Sequence, residues 1–116
     1  MSGTMQVDLK TTGPGRCLVV VSGELDLVTA TDARQALKAA VDQHRSVVVD
    51  LGQVTFCDCT GLSALLAAAR AARGRGVELR LRAVPHFLAR ILRLTGTHGA
   101  FSIEPAPPVH STPGER

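Results

Sequence analysis

The sequence has no tryptophan, no tyrosine and only three phenylalanines among its 116 residues. Aromatic platforms for stacking unpaired bases are therefore scarce, which argues against single-stranded nucleic acid as a partner. No apolar run reaches the roughly 18 residues of a membrane helix. Residues 1–10 also contain no apolar stretch of the kind found in secretory signals. These absences predict a cytoplasmic protein with no membrane partner.

Cysteines are few and odd in number: Cys17, Cys57 and Cys59. An odd count in a chain that looks intracellular argues against a disulfide framework. Cys17 opens an apolar run and is predicted to fill the core. Cys57 and Cys59 have no second cysteine pair to complete a zinc site. The four histidines are scattered over predicted helix ends, loops and the C-terminal segment, so we predict no metal and no cofactor.

The chain does contain enough apolar residues for one domain, because 45% of its residues are hydrophobic and 20% are charged. Charge is uneven. Residues 70–93 hold seven arginines and one glutamate, a formal charge of +6, whereas the whole chain carries +3. These arginines are either the solvated faces of ordinary elements or a basic surface for an acidic partner. Direct binding to duplex DNA is disfavoured, because no helix with polar reading side chains accompanies them.

Hydrophobic periodicity predicts the element order β-β-α-β-α-β-α-β. We expect residues 16–23 to be a buried strand, residues 46–51 to be a completely buried strand and residues 52–57 to be a loop. Thr29 and Asp32 have the spacing of a capping box, which predicts a helix beginning there. The prediction is an α/β sandwich whose mixed sheet carries helices on one face. Strands are predicted at 7–12, 16–23, 46–51, 77–81 and 101–103, and helices at about 29–44, 60–73 and 85–96.

The segment 54–62 carries the most chemical information, because a strand is followed by a helix whose first turn holds Asp58, Thr60 and Gly61. Free amides and the positive dipole end at a helix N-terminus favour anions, including a phosphate attached to threonine. Gly61 is expected to leave the Thr60 hydroxyl accessible. The alternative is that Asp58 or Thr60 only caps the helix.

Enzymatic interpretations of this segment fail on spacing. A cysteine phosphatase would need arginine six residues after the nucleophile, where Cys57 is followed by Ser63 and Cys59 by Leu65. The position two before Asp58 is Phe56, which excludes an aspartyl-phosphate motif, and no phosphate-binding Walker loop is present. We therefore predict a protein that is not an enzyme.

A second polar cluster, residues 22–26, ends in Asp26 after a predicted central strand. Sites in α/β sheets gather outside strand ends, so Asp26 and Asp58 are expected at one exposed edge together with Thr60. The alternative is that both carboxylates belong to ordinary solvated turns.

Four segments together resemble the STAS domain of bacterial anti-sigma factor antagonists: residues 23–26, 47–51, 56–62 and 94–96. The resemblance spans residues 7–103. It implies the STAS fold over residues 1–104, and it places Thr60 on the residue that a partner kinase phosphorylates. It also implies that Asp26 contributes to partner binding, and the matching loop extends that expectation to Asp58, Cys59, Gly61 and Leu62.

The family resemblance implies a partner-switching cycle. The unphosphorylated antagonist binds an anti-sigma factor that is also a Ser/Thr kinase with a histidine-kinase-like ATP site, and a sigma factor is released. Phosphorylation at Thr60 would end that binding, and a separate phosphatase would reset the protein. The alternative function is a STAS ligand-sensing or scaffold module of a larger regulatory or transport complex, without a phospho-switch.

This sequence departs from the family pattern in two places. Cys59 replaces the first serine of the usual pair, which puts kinase recognition in question. Residues 105–116 contain four prolines where the family usually has a last helix. We expect these residues to form a flexible tail whose deletion leaves the melting temperature nearly unchanged.

Overall fold

The computed structural model describes residues 4–104, so the predicted tail at 105–116 lies outside the described residues. The element order confirms the predicted alternation of strands and helices. The strands are β1 (Met5–Gly13), β2 (Arg16–Leu25), β3 (Ser46–Cys57), β4 (Glu78–Arg82) and β5 (Ser102–Ile103). The helices are α1 (Ala30–Gln43), α2 (Cys59–Gly74) and α3 (His86–Leu94), with a short 3-10 helix at His98–Ala100.

The strands form one mixed sheet in the order β1-β2-β3-β4-β5. Strand β1 is antiparallel to β2, and β2 to β5 are parallel to one another. Because the parallel strands follow one another in a single direction across the sheet, right-handed crossovers place the connecting helices on the same face. The predicted sandwich of helices on one face of a mixed sheet is confirmed.

The two faces of the sheet differ in burial. On β3, Val47, Val49 and Leu51 point to the helices and are at most 1% exposed, whereas Val48 and Asp50 point to the other face and are half-buried. The expectation that residues 46–51 form a completely buried strand is therefore wrong. Residues 16–23 differ from the expectation in the same way, because no second layer of described residues covers the outer face of the sheet.

Strand β3 continues to Cys57, so the predicted loop at 52–57 is also wrong. These residues remain in the sheet because they pair with the second half of β2, with Gly23 opposite Val54 and Leu25 opposite Cys57. Asp58 alone then connects β3 to α2. The start of α2 is held directly by the sheet edge.

The arginines of residues 70–93 are distributed over α2, the turn that follows it, β4 and α3. Arg75 lies 3.5 Å from Asp42, and Arg82 lies 3.5 Å from Asp50. Arg80 lies 3.8 Å from Glu104. This distribution favours the interpretation as solvated faces over a single basic docking surface. Within residues 4–104, no helix is both long enough and apolar enough to cross a lipid bilayer.

Candidate functional site

The candidate site lies where β2 and β3 end side by side. Leu25 is opposite Cys57 in the parallel ladder, and the Asp58 amide donates to the Leu25 carbonyl at 3.1 Å. The chain leaves both strands at this edge and enters α1 and α2. Asp26 and Asp58 consequently line one open cleft of about 430 Å³, as the two strand ends predicted.

Asp58 is the N-cap of α2. Its Oδ1 accepts a hydrogen bond from the Gly61 amide at 2.9 Å, and its carbonyl accepts from the Leu62 amide at 2.9 Å. Its backbone is extended, as is typical of an N-cap residue. The sequence left open whether Asp58 or Thr60 caps the helix, and the structure assigns this role to Asp58.

Gly61 is required by a close approach between α2 and the end of β2. A Cβ at this position would lie 2.3 Å from the Leu25 carbonyl oxygen and 2.7 Å from the Leu25 Cβ. Gly61 is buried and Leu62 is only 5% exposed. Both residues therefore hold the helix start against the sheet. The expected role of Gly61 in exposing Thr60 is replaced by this packing role.

Thr60 is the second residue of α2, and its side chain is half-buried. Within residues 4–104 its hydroxyl forms no hydrogen bond. Cys59, the first residue of the helix, is exposed. The first amides of a helix have no intrahelical acceptors, and the side chain of Asp58 engages only that of Gly61. The surroundings of Thr60 thus favour an added anionic group.

Asp26 is 6% exposed, so the expectation that it lies on an exposed edge is wrong. Its Oδ1 accepts hydrogen bonds from the amides of Val28 at 2.9 Å and Thr29 at 3.1 Å. The Thr29 hydroxyl in turn accepts from the Asp26 amide at 3.0 Å and donates to the Glu24 carbonyl at 2.6 Å. The carboxylate therefore organises the connection between β2 and α1.

The same network overturns the predicted capping box at Thr29 and Asp32. Thr29 precedes α1, but it has helical backbone angles and its side chain makes no capping hydrogen bond. Its hydroxyl is engaged by the preceding loop, so it is turned away from the first amides of α1. Asp32 is exposed. Helix α1 therefore begins at about the predicted residue, but the loop hydrogen bonds of Asp26 and Thr29, and not a capping box, precede it.

Three exposed apolar side chains line the cleft between the two carboxylates. Leu27 is 75% exposed, Val28 is 65% exposed and Phe56 is 48% exposed. Sequence reasoning missed all three as functional residues. The available signals were an apolar pair directly after Asp26 and a phenylalanine next to a buried cysteine, where strand alternation leaves it on the outside. An apolar cleft with acidic groups is suited to contact with another protein.

Cys57 and Cys59 lie in different environments. Burial, assisted by the negative charge of Asp58 and by Cys59, raises the pKa of the Cys57 thiol to about 12. Cys57 therefore remains a neutral thiol at physiological pH and donates to the Asp58 carbonyl at 3.5 Å. In the part of the chain from 4 to 104, no three histidine, cysteine or acidic side chains come together as metal ligands would.

Fold and site together define a small STAS-like domain with an apolar and acidic cleft beside the first turn of α2. A family model described as "Mlab, STAS domain" matches residues 10–105. The chain therefore belongs to the STAS domain family.

Individual relatives agree with this assignment. The chain is 28% identical over 101 residues to the anti-sigma-B factor antagonist of Listeria monocytogenes, which covers 86% of this chain and 89% of the relative. A crystal structure of an anti-sigma factor antagonist from Mycobacterium paratuberculosis superposes with a TM-score of 0.78 at 30% identity, covering 91% of this chain and 92% of that one. The Bacillus cell fate determinant SpoIIAA in its phosphorylated form shares the fold, with a TM-score of 0.68 at 14% identity over 86% of this chain and 92% of that one.

Proposed function

We propose that this protein is a cytoplasmic anti-sigma factor antagonist that binds an anti-sigma factor through the cleft and the start of α2. The observation that carries the proposal is the Thr60 hydroxyl on the first turn of α2, which has no hydrogen-bond partner among residues 4–104 and is close in sequence to the cleft residue Asp58. The likeness to antagonists that bear this function in their names supports it. Binding and release, with no chemical conversion by the antagonist itself, then constitute its activity.

The cleft supplies both affinity and selectivity for such a partner. Leu27, Val28 and Phe56 expose apolar surface, and burial of such surface contributes about 25 cal/mol per Å² before the costs of association. Asp58 and Glu24 add carboxylates to the lining. The partner surface should therefore present apolar side chains within a rim of lysine or arginine.

Phosphorylation at Thr60 by the anti-sigma factor acting as a Ser/Thr kinase would switch this binding off. The fold should tolerate the phosphate, because amides and dipole at the start of α2 favour an anion by about 0.3–1 kcal/mol. The interface should not tolerate it. A phosphate carries a charge of about −1.5 to −2 at neutral pH and would have to be desolvated beside the Asp58 carboxylate. A phosphatase would be needed to restore the binding form.

The remaining residues expected at the site divide into contacts and supports. Cys59 is exposed and would touch the partner directly, together with Asp58. Asp26 would act through its hydrogen bonds to Val28 and Thr29, which hold the exposed loop in position. Gly61 and Leu62, both buried, would keep the first turn of α2 against β2.

The test compares wild type with Thr60→Ala and Thr60→Glu for affinity toward the anti-sigma factor that copurifies with Thr60→Ala, in the presence of ADP. Thr60→Ala should bind as tightly as the unmodified protein and gain no phosphate with ATP. Thr60→Glu should fold normally and bind about a hundredfold more weakly, a loss of about 2.7 kcal/mol.

Gln43→Glu is the matched control, because it adds one negative charge at the exposed far end of α1. It should bind like wild type. Equal affinities for all the Thr60 variants, with no phosphate on wild type after ATP treatment, would reject the switch and favour a scaffold module instead.

A further inference from the structure

Strand β1 is one of the two edge strands of the sheet, and among residues 4–104 it pairs only with β2. The Glu24 amide donates to the Thr4 carbonyl at 2.9 Å just before the ladder begins. Main-chain groups alternate in direction along an antiparallel strand. Residues 6, 8 and 10 therefore direct their amides and carbonyls toward β2, whereas Val7, Leu9 and Thr11 direct theirs outward from the sheet.

The outward groups are symmetric about Leu9. An antiparallel second copy of β1 centred on this residue would face Leu9 with Leu9 and would face Val7 with Thr11. Facing residues of that type exchange both their amide and carbonyl hydrogen bonds. The main chain of β1 is thus self-complementary over its middle.

The side chains have the same symmetry. About the Leu9 axis, Asp8 of one strand lies opposite Lys10 of the other, and the reverse pair forms on the other side. These are non-hydrogen-bonded pairs, in which facing side chains approach most closely. Both residues are exposed, and neither forms an ion pair within the described residues. Edge charges usually prevent strand addition, but alternating signs permit it in this single register.

An apolar contact coincides with the axis. Leu9 pairs with the buried Val19 and so faces the helical side of the sheet, yet it remains 47% exposed. Two copies related by the axis would place the two Leu9 side chains together. Asp8 and Lys10 pair with Val20 and Leu18, so their ion pairs would lie on the opposite, open face.

We propose that β1 is a homodimerisation edge, at which a second copy of this chain adds its own β1 antiparallel about Leu9 and extends the sheet. Its ladder is limited in length, because the register of β1 shifts between Thr11 and Gly13. The cleft at the ends of β2 and β3 lies outside this interface. The proposal therefore does not depend on any role of Thr60.

The test is sedimentation velocity on the full chain over a micromolar to millimolar series, with charge-swapped variants. Wild type should show a concentration-dependent monomer–dimer equilibrium. Asp8→Lys should weaken it about tenfold or more, because both cross-strand pairs change from attraction to repulsion. The double variant Asp8→Lys/Lys10→Asp should restore the wild-type dissociation constant to within about threefold.

Two control variants show whether the dimer forms through β1. Leu9→Pro removes an outward amide and the apolar side chain on the axis but no hydrogen bond to β2, so it should abolish the dimer while the thermal melt remains cooperative. Asp32→Lys makes the same charge change as Asp8→Lys on the exposed surface of α1 and should leave the dimer unchanged. A wild type that stays monomeric throughout the series, or a dimer insensitive to Asp8→Lys and Leu9→Pro, would overturn the proposal.

Discussion

The first turns of α1 and α2 follow neighbouring strands and each has threonine as its second residue, yet they are built differently. At α2, Asp58 is extended and caps the helix through the Gly61 amide. At α1, Thr29 makes no capping bond, because its hydroxyl binds back to the Glu24 carbonyl and the Asp26 amide. The polar side chains before α1 form hydrogen bonds within the loop, whereas the side chain of Asp58 forms its hydrogen bond with the helix that follows it.

The two helix starts also differ in their position relative to the cleft. Thr31 and Thr60 occupy the same second position in their helices. Thr60 is close in sequence to Asp58, which lines the cleft. It also lies in the first turn of α2, which packs closely against β2 at Gly61. In the proposed function, the neighbouring cleft, and not the helix N-terminus alone, distinguishes Thr60 from Thr31. A phosphate on Thr60 would change the charge beside the proposed partner-binding surface.

The largest effect should come from Gly61→Ala, which tests whether the start of α2 is set by contact with β2. The added Cβ meets backbone at Leu25 that has no room to move, so we expect a loss of about 3 kcal/mol in unfolding free energy, the upper part of the overpacking range. Urea denaturation measures it. Gly74→Ala in the same helix has nothing within 4 Å and should be neutral or slightly stabilising; equal losses would contradict the packing role.

Asp26→Ala should rank second, because it leaves the amide of the buried Thr29 and the half-buried amide of Val28 without their acceptor. We expect a loss of about 1–3 kcal/mol in chemical denaturation. Asp26→Asn retains one carbonyl oxygen and should recover part of the loss. A neutral Asp26→Ala variant with weakened partner binding would instead show a direct contact.

Asp58→Ala should lower the free energy of unfolding by about 1 kcal/mol, as removal of an N-cap does. Thr60→Ala should change stability by less than about 0.5 kcal/mol, because its hydroxyl has no partner among residues 4–104. Thermal and urea unfolding of the two variants measure the contrast. If Thr60→Ala proved the more damaging change, the assignment of the cap would be reversed.

At neutral pH, the smallest effect is expected from ionisation of the thiols that flank Asp58. The pKa of Cys57 is raised from 9.0 to about 12 in the folded chain, so the folded state holds this proton more tightly than the unfolded state does. Its contribution to stability is complete below pH 9 and is lost as pH rises toward 12. Cys57→Ala should flatten that part of the stability profile.

Cys59→Ala is the control for this profile, because Cys59 is exposed. It should leave the dependence of unfolding free energy on pH unchanged between pH 9 and 12. Iodoacetamide should also alkylate Cys59 in the native protein before Cys57 reacts. Native-state labelling of Cys57 at the same rate would contradict its burial.

Sequence reasoning anticipated the element order and the convergence of Asp26 and Asp58, because periodicity and strand ends are local signals. Sequence reasoning failed where the pairing of strands determined the secondary structure. Residues 52–57 contain polar residues and a glycine typical of a loop, but their register against residues 22–25 keeps them in β3. Leu27, Val28 and Phe56 could not be identified as exposed, because their residue type predicts burial and only the folded structure leaves them at the surface of the cleft.

By itself the sequence determined the mixed α/β architecture, the resemblance to the STAS family and the candidate threonine, since periodicity and motif spacing are properties of the chain. Only the tertiary structure decided how those residues act. In the folded protein, Asp26 is buried and holds the loop before α1, Gly61 allows α2 to pack closely against β2, and Asp58 caps α2. Such roles depend on groups far apart in the chain, here the end of β2 against the start of α2, and burial and hydrogen bonding between them exist only after the strands have paired.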